Sequence, residues 1–233
     1  MKIGIISAME SEHRQLAARL TDAQEIKIGP FSYVKGSLCD NELILTQCGI
    51  AKVNAALGAQ AMILNYKPDC IINTGVAGGI DECLKRTDVV VGARTVHHDV
   101  WCGSGEHGQV QGLPLFFEGD GHLLAKALEL NQMDLESTVH AGLICTGEQF
   151  IEDREVLRGI KEHFPDGMAV DMESASIAQA CHLYGVPFLS FRIISDVPGD
   201  GDNFSQYRDF WHTIAERSFH TTWTFLQTLK VED

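Results

Sequence analysis

The stretch AVDMESASIAQ, Ala169–Gln179, decides how this chain is read. It begins as an apolar, strand-like run, turns acidic at Asp171 and Glu173, and then opens an Ala-containing segment of helical character. The pattern recurs at VPFLSFRIISD, Val186–Asp196, another apolar run, which ends in Ser195-Asp196. Buried charge is costly to desolvate. Acids at the ends of the most core-like strands therefore need a reason.

Outward from this stretch, strand-like and helix-like segments alternate almost throughout. Lys2–Ala8 is an Ile-rich buried strand, and Glu10–Leu20 carries Leu16, Ala17 and Leu20 at helical spacing. Phe31–Leu38 and Glu42–Cys48 read as a hairpin around Cys39-Asp40-Asn41. Ala51–Tyr66 is helical, and Asp69–Thr74 is a buried strand expected to break at the glycine-rich GVAGG, Gly75–Gly79. Asp88–Val96, Val139–Cys145, Met168–Met172 and Pro187–Ser195 are further strands. Gly121–Leu130, Asp153–His163, Glu173–Tyr184 and a long closing segment, Tyr207–Leu229, are helices, while Cys102–Pro114 is a Gly-rich loop. Such alternation predicts an α/β fold of three layers, a mixed but mostly parallel central sheet covered by helices on both faces. No linker, repeat or low-complexity segment interrupts residues 1–233, which read as one domain.

The charge balance narrows the partners. Lys and Arg total 18 against 32 Asp and Glu, a formal charge of −14. A surface this acidic repels nucleic acid and anionic lipid, and fits a neutral or cationic small ligand. The 7 cysteines form no CxxC pair, and several sit in apolar runs, which predicts reduced thiols in a cytoplasmic protein. The opening MKIGIISAME is too short in its apolar run for a signal peptide and meets Glu10 and Glu12 at once. No stretch is long enough to cross a membrane as a helix.

In open α/β sheets ligands bind outside the carboxyl ends of the strands. That rule selects Ser7–Glu12, Gly49–Lys52, Gly75–Gly79, Thr146–Ile151 with Asp171–Glu173, and Ser195–Asp196. Each has a plain structural reading beside a functional one. Glu12, in the first turn of a helix, complements the helix dipole or orients a water molecule. GVAGG has neither dinucleotide nor Walker spacing and is either a tight turn or a wall that a flat ligand approaches closely. Phe150 in TGEQFI fills core or stacks on a ligand. Asp171 can cap the helix that follows it. Glu173 needs a donor, for which Arg192 on a neighbouring strand is the candidate. Asp196 precedes the loop PGDGDN, which weakens a cap role. Burial, with Glu173 nearby, is expected to raise its pKa and let it protonate a leaving group. His97 and His98 are adjacent in a strand, point to opposite faces, and are not expected to share a metal. With no HExxH, GxSxG or phosphate loop, three acids from separate strand ends fit the hydrolysis of a glycosidic-type bond.

At this point MKIGIISAMESE, CGIAKVNAALGAQ, DCIINTGVAGG, AVDMESASIAQAC and VPFLSFRIISD together resemble the bacterial 5′-methylthioadenosine/S-adenosylhomocysteine nucleosidases of the nucleoside phosphorylase/hydrolase superfamily. The likeness runs over essentially the whole chain. It implies a nucleoside phosphorylase-like fold and release of adenine from an adenine nucleoside without metal or cofactor. By position it implies that Glu12 activates water, that Glu173 binds the ribose hydroxyls beside Met172, and that Asp196 protonates the purine N7. Ser195 then holds Asp196, and Arg192 organises Glu173. Phe150 stacks on adenine, the Ile151 backbone bonds the purine edge, and Ala77 and Gly78 lie under the base. Met9 and Ile50 line the alkylthio side. Val100 and an aromatic lid from Phe204 or Tyr207 cover the 5′ group, partly from the neighbouring subunit of a homodimer. Val76 departs from family members that carry Ser there, and Cys102–Pro114 and Val197–Tyr207 match only loosely. Three rivals stay open: a purine nucleoside phosphorylase, a nucleosidase for another 6-amino purine nucleoside such as aminodeoxyfutalosine, and a protein that binds nucleosides without cleaving them.

Overall fold

Ile3, Ile5, Leu43, Leu45 and Ile72 pack into one core, while their neighbours Ile6, Ile44 and Ile71 pack into another. This period of two is what a strand buried on both faces requires. The computed structural model describes residues 1–197, 202–213 and 215–229. Ten strands form one sheet. They are β1 Lys2–Ser7, β2 Thr21–Ile28, β3 Phe31–Leu38, β4 Asn41–Gln47, β5 Cys70–Gly79, β6 Val89–His97, β7 Phe117–Glu118, β8 Val139–Thr146, β9 Gly167–Asp171 and β10 Phe188–Asp196. The helices are α1 Glu10–Ala17, α2 Lys52–Tyr66, α3 Gly121–Leu128, α4 Arg154–His163, α5 Ser174–Tyr184, α6 Asn203–Thr213 and α7 Ala215–Thr228.

The mixed α/β sheet anticipated from the sequence is found. Strands β4, β1, β5 and β10 run parallel to one another in that order, as do β6, β8 and β9, while antiparallel pairs join β6 to β10 and β5 to β9 and add β3 and β2 beyond β4 and β7 beside β6. Because β10 pairs with both β5 and β6, the pairings close a circuit of β5, β10, β6, β8 and β9. Each of these strands sends one residue to a shared cluster: Ala77, Ile194, Val90, Ile144 and Ala169. One outer core holds side chains of α1, α3, α6 and α7, including Leu16, Leu123, Phe210 and Phe219. The other holds those of α2 and α5, including Ala59, Met62, Ile177 and Cys181.

Three elements differ from the sequence expectation. Strand β2 was not anticipated. It is an edge strand paired only with β3, and nearly every residue in it is exposed, so no apolar period marks it. Strand β5 does not break at GVAGG but continues to Gly79, because β10 and β9 hydrogen-bond to it on either side as far as Gly78 and Gly79. The closing helix is two helices, α6 and α7. The first starts at Asn203, where Asp202 Oδ1 accepts the Ser205 N–H at 3.0 Å and caps the turn. Most of the expected PGDGDN loop, residues 198–201, and position 214 lie outside the described residues.

Helix α2 approaches the end of β4 closely. Gly58, mid-helix, would place an added Cβ 2.5 Å from Cys48 Cβ. Glycine inside a helix ordinarily costs about 1 kcal/mol relative to alanine. Here Gly58→Ala is expected to destabilise instead, by about 1–3 kcal/mol, because the atoms it meets are the Cβ and Cα of Cys48, which can yield only if the backbone moves. Thermal and urea unfolding of the variant check this. A rise in stability would mean that the approach is not constrained.

Candidate active site

The strand ends converge on one buried cation. Arg192, mid-way along β10, is fully buried. Its Nη2 lies 2.7 Å from Asp171 Oδ2 and 3.3 Å from Glu173 Oε2. The same nitrogen donates to Asn73 Oδ1, and Nε donates to Ser174 Oγ at 3.2 Å. Burial opposes the charge of Arg192, but Asp171, Glu173 and Glu12 outweigh it and hold the group fully protonated. Asp171 thus does more than the cap role considered from sequence. It accepts the Ser174 N–H at the start of α5 at 3.0 Å, the Thr146 hydroxyl at 2.5 Å, and the guanidinium.

Glu12 turns back from α1 over the end of β1. Its Oε2 accepts the N–H groups of Ala8 at 2.9 Å and Met9 at 3.0 Å, and its Oε1 accepts that of Val76 at 3.0 Å. One carboxylate therefore caps its own helix and faces the cavity. Burial raises its pKa, opposed by Arg192 and the three N–H donors. An added Cβ on Gly75 would sit 2.4 Å from Glu12 Oε1 and 2.6 Å from Arg192 Nη1. The glycine at this position makes room for the site's own charged groups, a different reason from the ligand approach considered above.

Glu173 precedes α5 and accepts the Ala51 N–H at 3.0 Å. Ala51 delivers that N–H from a φ of 80°. A non-glycine residue held there costs of order 1–3 kcal/mol. Burial first, then Asp171 against the pull of Arg192, raises the Glu173 pKa to about 7. Asp196 ends β10, where Ser195 Oγ donates to Oδ1 at 2.7 Å and Asn203 Nδ2 to Oδ2 at 2.9 Å. Its pKa is raised by burial and drawn down by those two donors. The push from Glu173 expected from sequence is not a contributor.

The three carboxylates line one cavity of about 270 Å³. Val76, Ala77 and Gly78 form one wall, Gln149, Phe150 and Ile151 another, and Met172 lies beside Glu173. Met9, Ile50, Phe204 and Tyr207 close the remaining side. The Phe150 ring stands 5.6 Å from that of Tyr207 and 6.0 Å from that of Phe204, and the Tyr207 hydroxyl donates to Met9 Sδ at 3.2 Å. Ser195 also lines the cavity, whereas Arg192 stands behind Glu173 and does not. Val100 is not brought to this cavity either; its carbonyl accepts the Gly108 N–H in the loop after β6. Sequence reasoning missed Gln149, the Asn73 support of Arg192, and Asn203 on Asp196. Asn203 fell in a segment read as loop, with no signal to mark it. His97 bonds Gln179, while His98 packs against Gly147. Among the described residues no His, Cys, Asp and Glu cluster is arranged to hold a metal ion.

Fold and site together define a member of the phosphorylase superfamily, whose family profile matches residues 2–227. A curated relative from Actinobacillus succinogenes, a 5′-methylthioadenosine/S-adenosylhomocysteine nucleosidase, is 41% identical over 220 residues, 94% of this chain and 95% of its own. The nucleosidase of that name from Neisseria meningitidis, solved in complex with methylthio-immucillin-A, matches with a TM-score of 0.92 and 35% identity over 98% of this chain and 99% of that one. The Colwellia psychrerythraea 34H nucleosidase, solved in complex with adenine, matches with a TM-score of 0.94 and 34% identity over 100% and 97%. The chain belongs to the 5′-methylthioadenosine/S-adenosylhomocysteine nucleosidase family.

The raised pKa of Glu173 has a consequence for stability. A carboxyl with a higher pKa folded than unfolded binds more protons in the folded state. The stability it contributes is complete below its ordinary value of 4.5 and is lost as pH rises through about 7. Glu173→Gln removes this loss. Relative to wild type, the variant is expected to gain roughly 1–3 kcal/mol between about pH 5 and pH 8. Urea unfolding at both pH values checks the sign; an unchanged difference would place the Glu173 pKa at its ordinary value.

Proposed function

We propose that the protein hydrolyses the N-glycosidic bond of 5′-methylthioadenosine and S-adenosylhomocysteine, releasing adenine and the free thioribose sugar. The observation that carries this reading is the convergence of Glu12, Glu173 and Asp196 from separate elements on one cavity walled largely by apolar side chains. Asp196, its pKa raised by burial, donates a proton to N7 of the departing purine. Glu173 accepts hydrogen bonds from the ribose hydroxyls and faces the positive charge that grows on the sugar. Glu12, held by three N–H groups, orients the attacking water and accepts its proton. Phe150 stacks on the base, and the Ile151 backbone meets its edge.

Phosphorolysis would need a cation or free N–H donors at the sugar. Among the described residues no Lys or Arg side chain lines the cavity. Arg192 is committed to Asp171 and Glu173, and Arg14 pairs with Glu10 on the surface. The Glu12 carboxylate also occupies the N–H groups that an anion would use.

The protein acts as a single domain and as a homodimer in the cytoplasm. Support for the dimer comes from Val53, Leu57 and Leu64 on α2 and Leu183 and Tyr184 at the end of α5, all exposed although large and apolar. These helices pack together, and Ile50 at the cavity mouth adjoins α2. Such a face is typical of an interaction surface. A monomer in light scattering would overturn it. The thiols of Cys48, Cys70, Cys145 and Cys181 are buried and unpaired, as suits a reducing compartment.

The test is a product assay with 5′-methylthioadenosine, with and without phosphate. Adenine and free methylthioribose in both arms are expected; a sugar 1-phosphate formed only with phosphate would make the protein a phosphorylase. Asp196→Asn, nearly unchanged in shape but unable to transfer the proton, is expected to lose about 10²–10⁴-fold in kcat, or roughly 3–5 kcal/mol, without a change in Tm. Activity within a few-fold of wild type would remove Asp196 from the acid role.

A further inference from the structure

Asn203 is the first residue of α6 and is 2% exposed. One atom, Nδ2, faces two acceptors: Asp196 Oδ2 at 2.9 Å and the Ile151 carbonyl at 3.0 Å. An amide nitrogen has two hydrogens, so both bonds form at once. The amide orientation is fixed by chemistry, since the opposite one would set the amide oxygen against the Ile151 carbonyl. Three further bonds seat α6 on the same strand end. Val197 N donates to Gln206 Oε1 at 3.1 Å, and Arg86 bridges the Ser195 carbonyl at 3.1 Å and the Gln206 carbonyl at 2.9 Å. Phe204 and Tyr207, on the turn that follows Asn203, line the cavity.

We propose that Asn203 is the positioning residue of the acid: its amide ties the Asp196 carboxyl, the Ile151 segment and the start of α6 at one point, so that acid, base-edge wall and aromatic side of the cavity keep a fixed mutual placement. This rests on the assignment of Asp196 as the proton donor. The other partner of Asp196, the Ser195 hydroxyl, can turn. It also lies 3.4 Å from the Ala77 carbonyl, so it can accept from a protonated Oδ1 while donating to Ala77. Asn203 Nδ2 is a donor only. It favours the ionised carboxylate at Oδ2 and leaves Oδ1 as the oxygen whose hydrogen-bonding changes with the proton. The amide therefore sets the upper pH to which the acid keeps its proton as well as its orientation.

The charged and titratable groups around Asp196 are Arg86 from the β5–β6 connection, Tyr207 on α6, and Glu12 and Glu173 across the cavity. None of them is altered by a change at 203. The experiment is the pH dependence of kcat/KM for adenine release by wild type, Asn203→Ala and the isosteric Asn203→Asp. Removing a donor to the carboxylate raises its pKa. The alkaline limb of the Asn203→Ala profile is therefore expected to move up by about half to one pH unit, while kcat at its optimum falls about tenfold. Asn203→Asp places a second carboxyl beside Asp196 and is expected to move the limb further. It also answers the question should the alanine variant fail to fold. An unmoved limb in the folded variants, with kcat within two-fold of wild type, would overturn the positioning role. Absence of adenine release by wild type would instead overturn the reading of Asp196 itself.

Discussion

A guanidinium with no access to water is the constraint around which this molecule is arranged. Burying a cation costs several kcal/mol unless its partners are placed with good geometry. Arg192 obtains them from three elements: Asp171 at the end of β9, Glu173 at the entry to α5, and Asn73 on β5. Those partners are fixed in turn. Thr146 and Ser174 hold Asp171, Ala51 holds Glu173, and Asn73 donates its own amide to the Ile6 carbonyl. The network therefore links β1, β5, β8, β9, β10 and both flanking helices of one face. Asp171 is the nearest counter-charge and the first to favour the buried cation, so that acid is required by the fold, whereas the ionised form of Glu173 is held at a cost that the site uses.

The same network explains why the site is rigid where chemistry needs it. Glu12 and Glu173 both act on the charge of Arg192, and each is fixed by backbone N–H donors. Gly75 gives Glu12 and the guanidinium the room. The strained φ of Ala51 has its return here, since it turns an N–H toward Glu173 that an ordinary helix start would direct elsewhere. Groups held this way need little reorganisation when charge develops, which is the condition under which electrostatic stabilisation is largest.

How much of this could be read from the chain depends on what each residue's signal competes with. The strands β1, β8 and β10 and the helices α2 and α5 were legible because apolar period and burial coincide in them. β2 was not, because an exposed edge strand carries no apolar period. GVAGG was read as a break because glycine signals turns, but hydrogen bonds from β9 and β10 override local preference there. At the site, Glu173 and Asp196 stood out because charge at the end of an apolar run is anomalous, whereas Glu12, in the first turn of a helix, taken alone reads as an acid complementing the helix dipole. Asn203 did not, because an Asn among Asp, Gly and Pro residues is what any loop contains. Asp171 fell between: capping explained it adequately, and only the tertiary position of Arg192 shows its second duty.

The charge count of the site points to the kind of ligand state it favours. Three carboxylates, Glu12, Asp171 and Glu173, share the Arg192 guanidinium, and across the cavity Asp196 has only the outlying Arg86. Burial is the first cause of the raised pKa values of Glu12, Glu173 and Asp196, so the site is short of positive charge and of water. A neutral nucleoside entering the cavity does little to relieve this. A sugar that acquires positive charge as its bond to the base breaks relieves it directly, and does so only at the transition state. Binding energy that appears only there speeds the reaction rather than holding the substrate. The cost of burying acids, which is a defect in an ordinary core, becomes in this cavity the source of the preference for the cationic state.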